Sequence, residues 1–231
     1  MNDWRNRIDI GATLYQCPTA MTEIPWDQRI ARVLVRPLAE TIIRPNHITW
    51  FTFVLALAGA GLLATGDRQL VNWGAFVYVL SRFFDHFDGE LARLQGTSSK
   101  FGYYLDYYVG GASYAALFTG LGIAFWPSLG IWSAVLGGAG AGSALISLFS
   151  NLGIDRQLEN DESGEAIGYP GFAGFELEDG IYLIAPITWA GFLEPFFIAA
   201  GIGASIYCLW TLVTLARLQM AAKSPKKEGG E

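Results

Sequence analysis

Six long apolar runs, at residues 48–65, 70–92, 102–126, 131–150, 177–193 and 196–218, constrain this chain more than any other feature. Runs of about 18–20 apolar residues match the thickness of a lipid bilayer. In lipid every backbone N–H and C=O must be satisfied within its own segment, so the runs are expected to be helices. Only 16% of the residues are charged, against roughly 25% in soluble domains. The expected fold class is therefore an all-α integral membrane protein with six transmembrane helices. A tight turn at Glu194-Pro195 is expected to divide the fifth helix from the sixth.

Orientation follows from Lys and Arg. With the N-terminus in the cytoplasm, that side holds Arg29, Arg32, Arg36, Arg44, Arg93, Lys100, Arg156 and Arg217, whereas the opposite side holds only Arg68. Arg82 falls inside the second run. Both termini are thus expected on the cytoplasmic side of a bacterial or archaeal cytoplasmic membrane. A net charge of −6 argues against nucleic acid as a partner. Residues 1–24 are polar and form an expected cytoplasmic segment without the apolar stretch of a signal peptide. Cys17 and Cys208 are too far apart in character to suggest a disulfide, and His47 and His86 are isolated.

Residues 25–47 read as a juxtamembrane amphipathic helix. Arg29, Arg32 and Arg36 share one face, and Ile30, Val33, Leu34 and Leu38 lie towards the other. Such a helix suits the interface of an anionic leaflet. Pro37 should end or kink it. Residues 48–218 then form the transmembrane domain, and 219–231 a cytoplasmic tail. In the fourth run, Gly138 and Gly142 are spaced to let helices approach closely, either within the fold or in a homodimer.

Against this apolar background, "FFDHFDGELARLQGTSSKFGYYLDYYVGG" (83–111) places three acids, Asp85, Asp88 and Asp106. Asp85 and Asp88 share a helix face, and all three fall at one membrane depth near the cytoplasmic side. Facing carboxylates repel unless cations lie between them, and hard oxygen donors suit Mg²⁺ or Mn²⁺ with phosphate oxygens completing the shell. The residues alone thus point to a divalent-metal site that handles a phosphorylated substrate.

The same residues resemble the CDP-alcohol phosphotransferase (CDP-alcohol phosphatidyltransferase) family. Asp85, Asp88, Gly89, Ala92, Arg93, Gly102 and Asp106 match seven of its eight motif positions at the right intervals, and "RPNHIT" (44–49) precedes the first span as in the family. The resemblance implies a metal-dependent transferase of phospholipid biosynthesis. Asp85, Asp88 and Asp106 would hold two Mg²⁺ or Mn²⁺ ions against the pyrophosphate of a CDP-linked lipid. Gly89, Ala92 and Gly102 would leave room for the nucleotide, and Arg93 would bond phosphate or act as a positive-inside anchor. An alcohol acceptor would attack the lipid-bearing phosphate and CMP would leave.

The eighth position, an aspartate that in the family also ligates metal and deprotonates the acceptor, is Gly110 here. General-base help is typically worth about 10²–10⁴ in rate. Glu178 and Asp179, in "GFELEDGIYLIAPITW", are placed by the topology on the same side and are candidates for a replacement base, or for acids that favour a helix start. A non-catalytic relative that binds a CDP-linked lipid or metal is the alternative to an enzyme. Tyr103, Tyr104, Tyr107 and Tyr108 ring the start of the third run and are expected as interfacial anchors.

Overall fold

The computed structural model describes residues 26–157, 171–172 and 175–223. These are helical almost throughout: α1 (Trp26–Val35), α2 (Pro45–Ala64), α3 (Arg68–Gln95), α4 (Lys100–Ala124), the short α5 (Trp126–Leu129), α6 (Ile131–Gln157), α7 (Ile184–Trp189) and α8 (Leu193–Lys223). A two-residue antiparallel pair, Gly171–Phe172 with Phe175–Glu176, is the only extended pairing among the described residues. Pro25 and the segment 1–24 lie outside the described residues, as does the tail beyond residue 223.

α2 packs between α3 and α4, α4 packs on α6, and α6 packs on α8. α2, α6 and α8 are long and apolar enough to cross a membrane. At 28 and 25 residues, α3 and α4 extend about 42 and 37 Å at 1.5 Å per residue, and they carry the acids. The main core joins Ala56, Leu63, Tyr78, Leu117, Leu121, Ile184 and Phe197 across these helices.

The fifth apolar run departs from expectation. It is not one helix over 177–193 but a 3-10 segment, Leu177–Leu183, followed by the six-residue α7. The dividing turn also lies earlier than Glu194-Pro195. Gly191 takes a left-handed φ of 84°, a conformation glycine adopts without a Cβ clash. Glu194 and Pro195 instead open α8, where proline's missing N–H is not needed.

The glycine register in α6 also differs from the expected Gly138 and Gly142, where an added Cβ would meet no other element within 4 Å. Gly137 and Gly140 make the close approach instead. A Cβ on Gly137 would lie 2.9 Å from the Phe118 carbonyl oxygen and 3.0 Å from the Gly122 Cα, and one on Gly140 would run into the Phe118 ring. The tertiary face of α6 thus selects positions 137 and 140, and the 138 and 142 pair faces outward.

α1 ends at Val35, and the 3-10 turn Arg36–Leu38 carries Pro37. Ala31 and Val35 are buried with Ile48, Phe87 and Leu91, while Ile30, Val33 and Leu34 are exposed. One edge of α1 therefore docks on α3 and an apolar edge remains uncovered. His47 has a local role: its Nδ1 accepts from the Arg44 N–H at 3.2 Å at the start of α2.

Candidate metal and nucleotide site

The connection between α3 and α4 sets the register of the acids. Gly96 ends α3 in the left-handed conformation at φ 63°, and the Ser99 hydroxyl caps α4 by accepting from the Gly102 N–H at 3.1 Å. So short a link turns the chain straight back, and α3 and α4 both pack on α2. Asp85, Asp88 and Asp106 then converge, each offering a carboxylate oxygen, with these atoms all within 4.8 Å of one another.

α2 supports the acids from behind. The Thr49 hydroxyl donates to Asp88 Oδ2 at 2.5 Å, and the Thr52 hydroxyl lies 3.4 Å from Asp85 Oδ1. Thr49 is the last residue of "RPNHIT", so that segment's place beside the acids has a physical cause. Asp88 is buried, and its threonine bond fixes the carboxylate's orientation. Arg82, one turn before Asp85, forms an ion pair with Asp85 Oδ2 at 3.0 Å and lies 5.1 Å from the centre of the Tyr114 ring.

The donor set fits a divalent cation. Three convergent carboxylates are hard oxygen ligands, and their crowding in the bundle is costly without positive charge. Gly89 lies on the same α3 turn. A Cβ there would meet only the Arg93 guanidinium nitrogens, at ordinary contact distances of 3.7 and 3.9 Å, so this face of the turn lies beside that guanidinium. Arg93 Nη2 donates to Glu90 Oε1 at 2.8 Å, and Arg32 Nε donates to Glu90 Oε2 at 3.0 Å. The hydrogen bond and charge of Glu90 raise the Arg32 pKa above its ordinary value. Glu90 thus links α1 to the turn that carries Gly89 and Arg93. Ala92 is half-buried on this turn. Gly102 lies beside the start of α2, where a Cβ would come within 3.4 Å of Asn46 Oδ1.

Gly110 opens onto space, with nothing within 4 Å of a Cβ built there. Glu178 and Asp179 belong to the 3-10 segment that packs on α3 and α7, but their side chains lie outside the described residues. The tyrosines divide. Tyr103 and Tyr107 turn inward, both donating to Asp155 Oδ2 on α6, Tyr107 at 2.6 Å. Tyr108 is exposed beside Phe149, and Tyr104 lies under Arg156. The expectation of four surface anchors therefore fails for Tyr103 and Tyr107, because a fully buried carboxylate draws their hydroxyls into the bundle.

Thr49, Thr52, Glu90, Arg82 and Asp155 were not singled out by sequence as site residues. A detectable signal existed for Arg82, which lies three residues before Asp85 on the same helix face.

A sequence model of the CDP-alcohol phosphatidyltransferase family matches residues 42–164, more than half of the chain. The chain belongs to the CDP-alcohol phosphatidyltransferase family. The match to this family takes in α2, α3, α4 and the whole of the acid motif. Over 80 residues the chain is 38% identical to a phosphatidylinositol phosphate synthase of Corynebacterium glutamicum, covering 33% of this chain and 36% of that protein. Over 69 residues it is 39% identical to a bifunctional IPC transferase and DIPP synthase of Rubrobacter xylanophilus, covering 30% of this chain and 15% of that protein. The chain thus spans well under two thirds of the length of these curated relatives. Its fold is similar to that of Mycobacterium tuberculosis phosphatidylinositol phosphate synthase with CDP-DAG bound, at a TM-score of 0.53 and 22% identity over 88% of this chain and 98% of that one.

Proposed function

We propose that the chain is a metal-dependent transferase that moves a phosphatidyl-type group from a CDP-linked lipid to an alcohol acceptor and releases CMP. The observation that carries this reading is the convergence of Asp85, Asp88 and Asp106 within the stretch the family model matches. In this reaction the acceptor oxygen forms a bond to the lipid-bearing phosphorus. The bond from that phosphorus to the bridging oxygen breaks, and CMP leaves with the oxygen.

Asp85, Asp88 and Asp106 would hold Mg²⁺ or Mn²⁺. The bound metal would supply charge neutralisation at the attacking and leaving oxygens. The Thr49 hydroxyl keeps the Asp88 carboxylate oriented. Gly89 leaves the backbone of α3 open to the nucleotide, with Arg93 above it for phosphate oxygens. Ala92 and Gly102 keep the surrounding wall low. Gly110 cannot accept the acceptor's proton, and Glu178 or Asp179, on a segment that packs against α3, serves as the replacement base. The reading also includes six membrane crossings, α1 at the interface with Ile30, Val33 and Leu34 towards lipid, both termini and the site on the cytoplasmic side, and a homodimer. Gly138 and Gly142 offer an open face for a second copy.

Membranes from an overexpressing strain, given CDP-diacylglycerol, Mn²⁺ and a panel of alcohols, should release CMP with at least one acceptor. Release equal to that of vector-only membranes across the panel would remove the enzyme reading. The open space at Gly110 favours a second reading, a non-catalytic relative that retains the CDP-lipid site. Changing Gly110→Asp should slow native turnover in an adapted enzyme and awaken CMP release in a dead relative. Glu178→Gln with Asp179→Asn should abolish turnover, and unchanged turnover would reassign that pair to a helix start.

A further inference from the structure

We propose that the Arg82 guanidinium is a resident cation of the acidic site, flanking the space that Gly110 leaves, so that the substrate-free protein binds a single divalent ion. The inference rests on reading the three aspartates as a metal site.

Arg82 lies within a long helix of the bundle, with its side chain 8% exposed and its Asp85 partner 12% exposed. An arginine at such depth is costly unless opposite charge and polarisable groups surround it. Here Asp85 supplies the charge at 3.0 Å, and the Tyr114 ring faces the guanidinium at 5.1 Å.

The sequence spacing of these partners ties Arg82 to Gly110. Asp106, Gly110 and Tyr114 recur every four residues and so lie along one face of α4. Arg82 and Asp85 lie along one face of α3. Asp85 meets Asp106 in the acid cluster, and Arg82 meets Tyr114 one level deeper. Gly110 stands between these two levels on α4. A carboxylate there would sit between the three acids and the guanidinium.

The charges are consistent with this placement. Three carboxylates and one guanidinium sum to −2, which one divalent ion neutralises. A second divalent ion would leave +2 unbalanced in the bundle and would compete with Arg82 for Asp85. If Arg82 became neutral and an acid were restored at 110, the sum would be −4, and a second ion would be matched. The chain has an acid absent on α4 and a buried cation on α3, and each makes the other tolerable.

Titrating the purified full chain with Mn²⁺, and measuring free Mn²⁺ by electron paramagnetic resonance, tests the proposal without recourse to turnover. The wild type should bind a single Mn²⁺ per chain, lost in Asp88→Asn. Arg82→Lys keeps the charge and should keep that stoichiometry. Gly110→Asp alone should also keep it, because Arg82 takes the new carboxylate. Arg82→Gln should raise the affinity of the first ion by about tenfold as a competing charge is removed, and Arg82→Gln with Gly110→Asp should bind two ions.

Two ions on the wild type would overturn the proposal while leaving the metal site intact. So would a folded double variant that still binds one ion with unchanged affinity in Arg82→Gln. No Mn²⁺ on the wild type would instead overturn the metal reading itself. Should the double variant fail to fold, the wild-type stoichiometry and the Arg82→Gln affinity still decide.

Discussion

The bundle has two kinds of interior. From the shared end of α2, α3 and α4 to the middle of α3, buried or largely buried Arg82, Asp85, Asp88 and Glu90 are held by ion pairs and by the Thr49 hydroxyl. At the crossing of α4 and α6, the chain instead brings backbone against backbone at Gly122 and Gly137, with Gly140 under the Phe118 ring. The first interior is held by charge, which can be redistributed when a ligand arrives. The second is held by van der Waals contact between helices and by the buried Ser133 hydroxyl donating to the Gly122 carbonyl, which have no such freedom. One region is suited to bind and react, and the other to keep the helices that carry it in register.

The largest effect should separate the two at once. Asp88→Asn removes a charged ligand but little volume. CMP release should fall more than about a hundredfold, beyond the usual cost of losing a mere supporting group, while the thermal midpoint in detergent stays near that of the wild type. A midpoint that collapses with activity would show the acids to be structural.

Gly137→Ala should do the reverse. The added carbon meets backbone atoms that cannot swing aside, so stability should drop by about 1–3 kcal/mol. Gly138→Ala, one residue on and facing open space, should leave stability unchanged or raise it by up to about 1 kcal/mol. Equal effects of the two substitutions, read by thermal unfolding, would erase the register described for α6.

The smallest expected change is at the edge of the charged region. Glu90→Gln should loosen α1 from α3. Labelling of a cysteine placed at the buried Ala31 should speed up by no more than about fivefold, since the two arginine partners of Glu90 are about half exposed to solvent. No change would mean that Ala31 and Val35 hold α1 in place by packing alone.

Much of this arrangement was legible in the sequence because lipid allows few alternatives. Five apolar runs became helices within a few residues of their expected limits at one or both ends, as with 131–150 inside Ile131–Gln157. The fifth did not, because hydropathy records composition and cannot tell a helix from a 3-10 segment joined to a short helix. Asp85, Asp88 and Asp106 were found together because their spacing on two neighbouring helices predicts convergence.

Long-range choices were not legible. "GGAGAGS" contains both the 137 and 140 pair and the 138 and 142 pair, and the positions of Phe118 and Gly122 on α4 decide between them. Asp155 ends a helix far along the chain, and nothing local says that Tyr103 and Tyr107 will reach it. Arg82 stood in plain view, but its meaning depends on Tyr114 and on the space beside Gly110.

The short Gly96–Ser99 link has a consequence for how the molecule is made. Every residue of the acid cluster and its supports, from Thr49 to Tyr114, belongs to three helices consecutive in the chain. α2 packs on both of the others, so no later segment is needed to bring the acids together. Contacts between neighbours in sequence close early, because little chain has to be confined to make them. A ribosome that has reached residue 124 has already issued all of these parts, with α6 and α8 still to come. The acid cluster therefore needs less of the chain than the glycine crossing does, whereas Glu178 and Asp179, the proposed replacement base, come later still.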